Sequence, residues 1–335
     1  MSTAIRALFE KVHNDYEPTE ENRYHVASLP EMPHKIGCSE QGYPKFFVVT
    51  SDHSSMLHNL NAELLSVEYD MVCNIIEDDK CIDSERFTII TLRSENEQLQ
   101  SMFVDVFYMM LSLLPLKPTN LAIAAKIEQL LSIFSKIKKK PLRKLQGLWA
   151  ELLIIEQSKD PITMARAWHS QPEAKYDFTM GQDKLEVKST SGENRIHRFS
   201  LDQLNPSDSS RLLIASVITR ESAKDQNGLS VYDLYDSISL KIKDDETKIH
   251  VYDVMVDTLG SDFNVARRRF FDYSEACDRL AFFDHKDIPK ILKEHIPPLV
   301  TEVKFSADLS HLTDIREKGF DRGDSSFYYA LYYNE

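Results

Sequence analysis

Two carboxylates and a lysine stand close together in the segment Tyr176-Asp177-Phe178-Thr179-Met180-Gly181-Gln182-Asp183-Lys184-Leu185-Glu186-Val187-Lys188. Gly181-Gln182, with glycine first, suits a two-residue type II′ hairpin turn. Counting back from that turn pairs Met180 with Asp183, Thr179 with Lys184, Phe178 with Leu185 and Asp177 with Glu186. Directly opposite residues have Cβ atoms about 4.5–5.5 Å apart, and two acids that close repel unless something positive lies between them. Glu186 and Lys188 are two apart and share a face, while Leu185 and Val187 point the other way. An oxygen-seeking divalent ion such as Mg²⁺ fits the two acids and leaves positions for water and phosphate. Lys188 would then hold an attacking water or offset phosphoryl charge, and the ion would polarise the phosphoryl group. On spacing alone, a surface hairpin whose acid pair is eased by Lys188 fits equally well. A three-residue loop would move Asp177 off its partner.

The elements that must position this hairpin lie on both sides of it. A helix expected over residues 142–158 is mostly apolar yet carries Glu151 and Glu156, and acids are seldom buried without a partner. Glu156 falls within the apolar stripe and Glu151 at its edge; helical periodicity alone does not choose between them, and each also reads as a snorkelling surface acid. After Lys188 come Ser189, Thr190, Arg195 and His197, and Ser200 can cap a short helix that holds Gln203. Such groups suit phosphate and base-edge contacts; taken singly they read equally as a polar loop with a capped turn. Residues 211–219 form an apolar run of a strand buried on both faces.

Elsewhere, residues 45–50 and 87–92 read as strands rich in β-branched and aromatic side chains, with a charged turn at Glu77-Asp78-Asp79-Lys80. A helix is expected over 94–114, capped by Ser94, before Pro115 and Pro118 break the chain. Thr119 caps a further helix to about residue 140, ending in Lys136, Lys138, Lys139 and Lys140, where cations suit the helix dipole. Helices are expected over 231–243, 251–259, 273–280 and 287–295, and strands over 280–283 and 300–305. The expected domains are a strand-rich one over 1–117, a core over 118–225 and an α/β extension over 226–335.

The formal net charge of −13 argues against a protein that coats nucleic acid by charge alone. A local basic surface could still meet phosphate; the run from Lys136 to Lys144 and Arg267-Arg268-Arg269-Phe270-Phe271 are candidates, each also explained by packing or a solvated helix end. No apolar run is long enough to span a bilayer and no signal peptide is read, so the expected compartment is the cytoplasm. The four cysteines include no C-x-x-C pair, as reduced thiols would. There is no Walker A loop, G-x-G-x-x-G, H-E-x-x-H or G-x-S-x-G, so any ATP requirement would fall to a partner.

A glutamate on a helix, then Asp, then Glu-x-Lys on a hairpin resembles the PD-(D/E)XK nuclease superfamily. Gly147-Leu148-Trp149-Ala150-Glu151, Tyr176-Asp177-Phe178 and Leu185-Glu186-Val187-Lys188-Ser189-Thr190 resemble more closely a family of bacterial PD-(D/E)XK proteins associated with restriction and phage-defence loci. Asp287-Ile288-Pro289-Lys290-Ile291 before the strand at 300–305 is also similar. The resemblance implies an α/β, restriction-endonuclease-like core with a mixed central sheet flanked by helices. It implies metal acids at Asp177 and Glu186, a catalytic lysine at Lys188 and a supporting acid at Glu151, preferred over Glu156 by the Gly-x-x-x-Glu spacing. Gln203 sits where superfamily members place a polar residue near the site. Tyr176 departs from the motif, which has proline there. The implied function is hydrolysis of DNA phosphodiesters with Mg²⁺, for which Mn²⁺ can substitute. The implied partners are DNA, an ATPase or helicase-like protein from the same locus and a second copy of the chain. A non-catalytic nucleic-acid-binding or assembly subunit with a nuclease fold is the rival reading, and an RNA nuclease would use the same chemistry.

Overall fold

The computed structural model describes residues 2–17, 23–52, 57–78, 80–137, 145–170 and 174–331. The chain divides into two compact units, Met1–Lys136 and Ile137–Glu335.

In the first unit, helix α1 (Ser2–Asn14) precedes strands β1 (Arg23–Ser28), β2 (Lys35–Cys38), β3 (Pro44–Val48), β4 (Leu60–Asn61), β5 (Leu65–Glu77) and β6 (Lys80–Leu92). Helices α2 (Glu97–Ser112) and α3 (Asn120–Ile137) follow. The strand order is β1-β2-β3-β6-β5-β4, and a parallel pairing of β1 with β5 closes the sheet on itself. Val26, Phe47, Cys73, Ile75, Phe87 and Ile89 fill one core cluster. Phe46 packs against Phe103 and Phe107 of α2, with ring centroids 5.4 and 5.0 Å apart. The expected strand at 45–50 is β3, which ends at Val48, and the run at 87–92 is the buried part of β6. Of the charged turn between β5 and β6, Asp79 lies outside the described residues.

The cap of α2 is Asn96 rather than the expected Ser94. The Asn96 side chain accepts the Leu99 N–H at 3.0 Å, and asparagine is among the strongest N-cap residues. Thr119 does cap α3, accepting the Ala122 N–H at 3.2 Å. Most of α3 falls in the first unit, although the expected core domain began at residue 118. The basic stretch from Lys138 to Lys144 lies outside the described residues.

The second unit opens with α4 (Leu145–Gln157) and α5 (Pro161–Ala167), then β7 (Phe178–Met180), β8 (Asp183–Thr190), β9 (Ile196–Ser200), α6 (Leu201–Leu204) and β10 (Arg211–Ile218). Next come β11 (Glu221–Ser222), β12 (Gly228–Leu229), α7 (Val231–Lys241), α8 (Asp245–Leu259), α9 (Phe263–Ala266), β13 (Phe270–Asp272), α10 (Tyr273–Asp278) and β14 (Ala281–Asp284). The unit ends with β15 (Lys304–Asp308), α11 (Ile315–Lys318) and α12 (Ser326–Leu331). Its central sheet runs β14-β10-β8-β7, with β8 and β10 parallel and the outer strands antiparallel. This is the mixed sheet the sequence leads one to expect. Helix α4 packs against β8, α5 and α7. On the other face, Leu212 and Ile214 join Tyr176, Phe199, Leu204, Phe283 and Leu309 in a buried cluster.

Two expectations for this unit are corrected. Residues 287–295 do not form a helix; only Lys293–His295 make a short 3-10 turn. Pro289 has no N–H to give a helix and biases the residue before it away from helical geometry. Residues 196–200, which read as part of a polar loop, form β9 and pair with β15 in a separate two-stranded sheet. Ile196 and Arg198 are exposed there while His197 and Phe199 are buried, the alternation of a half-buried strand.

Candidate active site

The hairpin forms in the expected register, Met180 opposite Asp183, Thr179 opposite Lys184 and Phe178 opposite Leu185. Gly181 takes φ +57°, the left-handed geometry that the first position of a type II′ turn demands and glycine supplies without strain. Beyond Phe178 the ladder stops. Asp177 is turned out of it: its carbonyl accepts the His169 N–H at 2.9 Å, and its Oδ2 accepts the Val187 N–H at 2.8 Å. The short β7 thus leaves the β8 edge open from Glu186 onward, and the Asp177 carboxylate occupies the start of that edge.

Glu186 and Lys188 share a face, as alternation requires. The Lys188 Nζ lies 2.6 Å from Glu186 Oε1, and the same oxygen accepts the Gln203 amide N–H at 2.6 Å. Gln203 is held by the capping box of α6: its N–H donates to Ser200 Oγ at 3.2 Å and its Oε1 accepts the Ser200 N–H at 3.1 Å. The other carboxylate oxygen, Glu186 Oε2, is buried and has no hydrogen-bond partner among the described residues. Burial, with Asp177 nearby, drives the Glu186 carboxyl well above the usual range; Lys188 opposes this and Glu151 adds to it. A buried oxygen without a donor, ringed by like charges, costs free energy unless a cation or proton completes it.

Helix α4 buries both of its acids, and the structure separates them. Glu151 is 4% exposed, and its Oε2 accepts the Trp168 Nε1–H at 2.8 Å and lies 2.9 Å from His169 Nε2. Ligand atoms of Glu151, His169 and Asp177 lie within 4.8 Å of one another, a spacing that can hold a metal ion. Glu156 belongs to a different network. It accepts from Lys241, from Ser237 at 2.8 Å, and from Tyr273 and Gln157 at 2.7 Å each. Those donors outweigh burial and hold its carboxyl below the ordinary value. Its charge is fully answered within the fold.

His169 is the site residue that the sequence reading missed. It follows α5 at φ +42°, a left-handed conformation unusual for a residue with a side chain. Asp177 O anchors its N–H, and His250 Nε2 lies 2.8 Å from the neighbouring Trp168 carbonyl. A lone histidine outside any motif spacing carries no signal; only the approach of the turn after α5 to the hairpin gives it one.

The remaining expected contacts divide. Gln203 reaches Glu186. Thr190 lies on their face of β8, its Oγ1 accepting the Gly192 N–H at 3.2 Å, and Ser189 lies on the opposite face. Arg195 spends its guanidinium on Ser216 O at 2.9 Å, Ser216 Oγ at 2.8 Å and the Arg279 carbonyl. His197 is buried, with Nε2 2.7 Å from Ser216 Oγ; burial first, then Lys188 and Arg195, push its pKa down to about 4. Both side chains brace the β10 strand. In the run Arg267 to Phe271, Phe271 is buried against Trp149, ring centroids 5.3 Å apart, and Arg267 lies 4.0 Å over the Tyr232 ring. That is a packing arrangement.

A family model described as "Putative PD-(D/E)XK family member, (DUF4420)" matches residues 5–310, and the chain belongs to this family. No curated protein and no solved structure matches the chain. No helix among the described residues is long and apolar enough to cross a membrane.

Proposed function

We propose that the protein is a metal-dependent endonuclease that hydrolyses phosphodiester bonds in duplex DNA, in a bacterial restriction or phage-defence system. The observation that carries this reading is the partnerless buried Glu186 Oε2 beside the Glu151, His169 and Asp177 cluster, with the Lys188 ammonium on the same carboxylate. The donors fit a divalent ion: two carboxylates and one imidazole drawn together, and beside them a Glu186 oxygen that nothing else among the described residues answers. Glu151, His169, Asp177 and Glu186 would hold it, Mg²⁺ being the expected ion with Mn²⁺ able to substitute. When bound, such an ion supplies Lewis-acid polarisation of the phosphoryl group and favours ionisation of water.

The chain's own residues do the positioning. The Val187 N–H fixes Asp177, and Trp168 fixes Glu151. Gln203 orients Glu186 from its capping box, leaving the second oxygen free. Lys188 offers its ammonium to an attacking water or to a phosphoryl oxygen. Hydrolysis forms a bond from the water oxygen to phosphorus, the water giving up a proton, and breaks the bond to the leaving deoxyribose oxygen, which takes up a proton. The same reading gives a cytoplasmic enzyme that cuts both strands as a homodimer, with any ATP-dependent step left to a helicase-like partner.

The test is cleavage of supercoiled plasmid and phage DNA with Mg²⁺ or Mn²⁺, wild type against Lys188→Ala. Cutting by wild type alone is the expected result. Metal-dependent cutting by both would remove Lys188 from the chemistry. Cutting by neither, with no metal-induced rise in thermal stability, would favour the non-catalytic subunit.

A further inference from the structure

Lys175 lies two residues before Asp177, exposed, with its ammonium 5.1 Å from the centroid of the Tyr176 ring. That ring is its seat: a cation over an aromatic face is held by the ring quadrupole. Tyr176 itself is fixed. It is 6% exposed within the cluster of Phe199, Leu204 and Ile214, and its hydroxyl donates to the Gln203 carbonyl at 3.3 Å. The Gln203 side chain bonds Glu186 directly. The Lys175 charge therefore stands at the rim of the acid site, near enough that Glu186, like Asp202, acts on it electrostatically.

The lysines around this rim differ in how they are used. Lys188 is bonded to Glu186 and faces Gln203 Oε1 at 3.4 Å. Lys293 pairs with Asp202 at 2.8 Å. Lys175 has the ring beneath it and no hydrogen-bonding oxygen among the described residues. An exposed ammonium that a ring holds in one place and that no protein oxygen takes up is placed to donate to an anion. Where the superfamily motif carries proline, this chain has a tyrosine, and a proline ring offers no π face.

We propose that Lys175, seated on Tyr176, binds a backbone phosphate of duplex DNA next to the phosphodiester being cut; this rests on the nuclease reading above. Its contribution is affinity and register along the strand, independent of base sequence.

The experiment is equilibrium binding of a fluorescently labelled short DNA duplex, titrated with salt, Ca²⁺ replacing Mg²⁺ to suppress cutting. One lost phosphate contact lowers the slope of log affinity against log salt by about 0.9. From about 50 to about 200 mM salt, the advantage of wild type over Lys175→Gln should therefore narrow roughly 3.5-fold. Lys175→Arg keeps the charge and should keep the wild-type slope, and both variants should unfold at the wild-type temperature. A wild-type slope in Lys175→Gln, with DNA bound by both proteins, overturns the phosphate contact and leaves the nuclease reading standing. Absence of salt-dependent DNA binding by the wild type refutes the nuclease reading and this inference with it.

Discussion

The two acids of α4 invite a swap experiment, because they sit in different hydrogen-bond networks. In Glu156→Gln the retained oxygen can still accept from Lys241 and Ser237, but the new amide nitrogen faces the Tyr273 hydroxyl and the Gln157 amide. The hydroxyl can reverse and accept; the Gln157 donor cannot. Lys241 also loses its counter-charge. One buried donor left unanswered and one weakened charged hydrogen bond cost about 1–3 kcal/mol together. The second unit, Ile137–Glu335, has roughly 200 residues, a size at which each kcal/mol moves the unfolding midpoint by about 2–4 °C. Glu156→Gln should therefore melt about 2–12 °C lower. Its response to metal should be intact: at a hundredfold excess over Kd, a bound ion adds about 2.7 kcal/mol, or roughly 5–11 °C. Glu151→Gln should do the reverse, keeping the Trp168 N–H bond and most of the stability while losing much of the metal-induced rise. Differential scanning fluorimetry with and without Mn²⁺ reads both effects. The assignment fails if Glu156→Gln abolishes the metal response, or if Glu151→Gln retains it in full.

His169→Ala should weaken Mn²⁺ binding by at least about tenfold in isothermal titration, with cleavage falling in parallel; unchanged affinity would exclude the imidazole from the ion's shell. In acid, the first unit should lose stability through His34. Burial pushes its imidazole down to about 4, and its Nδ1 accepts the Val49 N–H at 3.2 Å, so the fold holds the neutral form. The unfolded chain takes the proton near pH 6.5, so this contribution is full above about pH 6.5 and is lost as pH falls toward about 4. The urea midpoint of wild type should therefore fall relative to His34→Gln across that window, and parallel pH profiles would refute the argument.

The hairpin was legible in the sequence because each part of it is local. A glycine-first turn sets the register, and alternation then places Glu186 and Lys188 on one face. The capping box of Ser200 and Gln203 was readable for the same reason, since its partners lie three residues apart. The apolar strand at 211–219 declared itself by composition. Helical periodicity could not decide which acid of α4 meets the hairpin, and only the resemblance preferred Glu151. Glu151 and Glu156 sit on one continuous apolar helix, and both are buried. Their fates differ only because Lys241, Ser237 and Tyr273, distant in sequence, converge on Glu156 and leave Glu151 to Trp168 and His169. The same holds for Arg195 and His197, polar residues suited to phosphate that the pairing of β9 with β15 turns toward Ser216 instead. His169 shows the limit most sharply. Its backbone is held in a left-handed turn by the Asp177 carbonyl, a contact between segments whose meeting depends on the packing of α5 against the sheet. Residue types and short spacings determine what chemistry this chain can offer; long-range packing decides which side chains are answered by the fold and which are left open to a ligand.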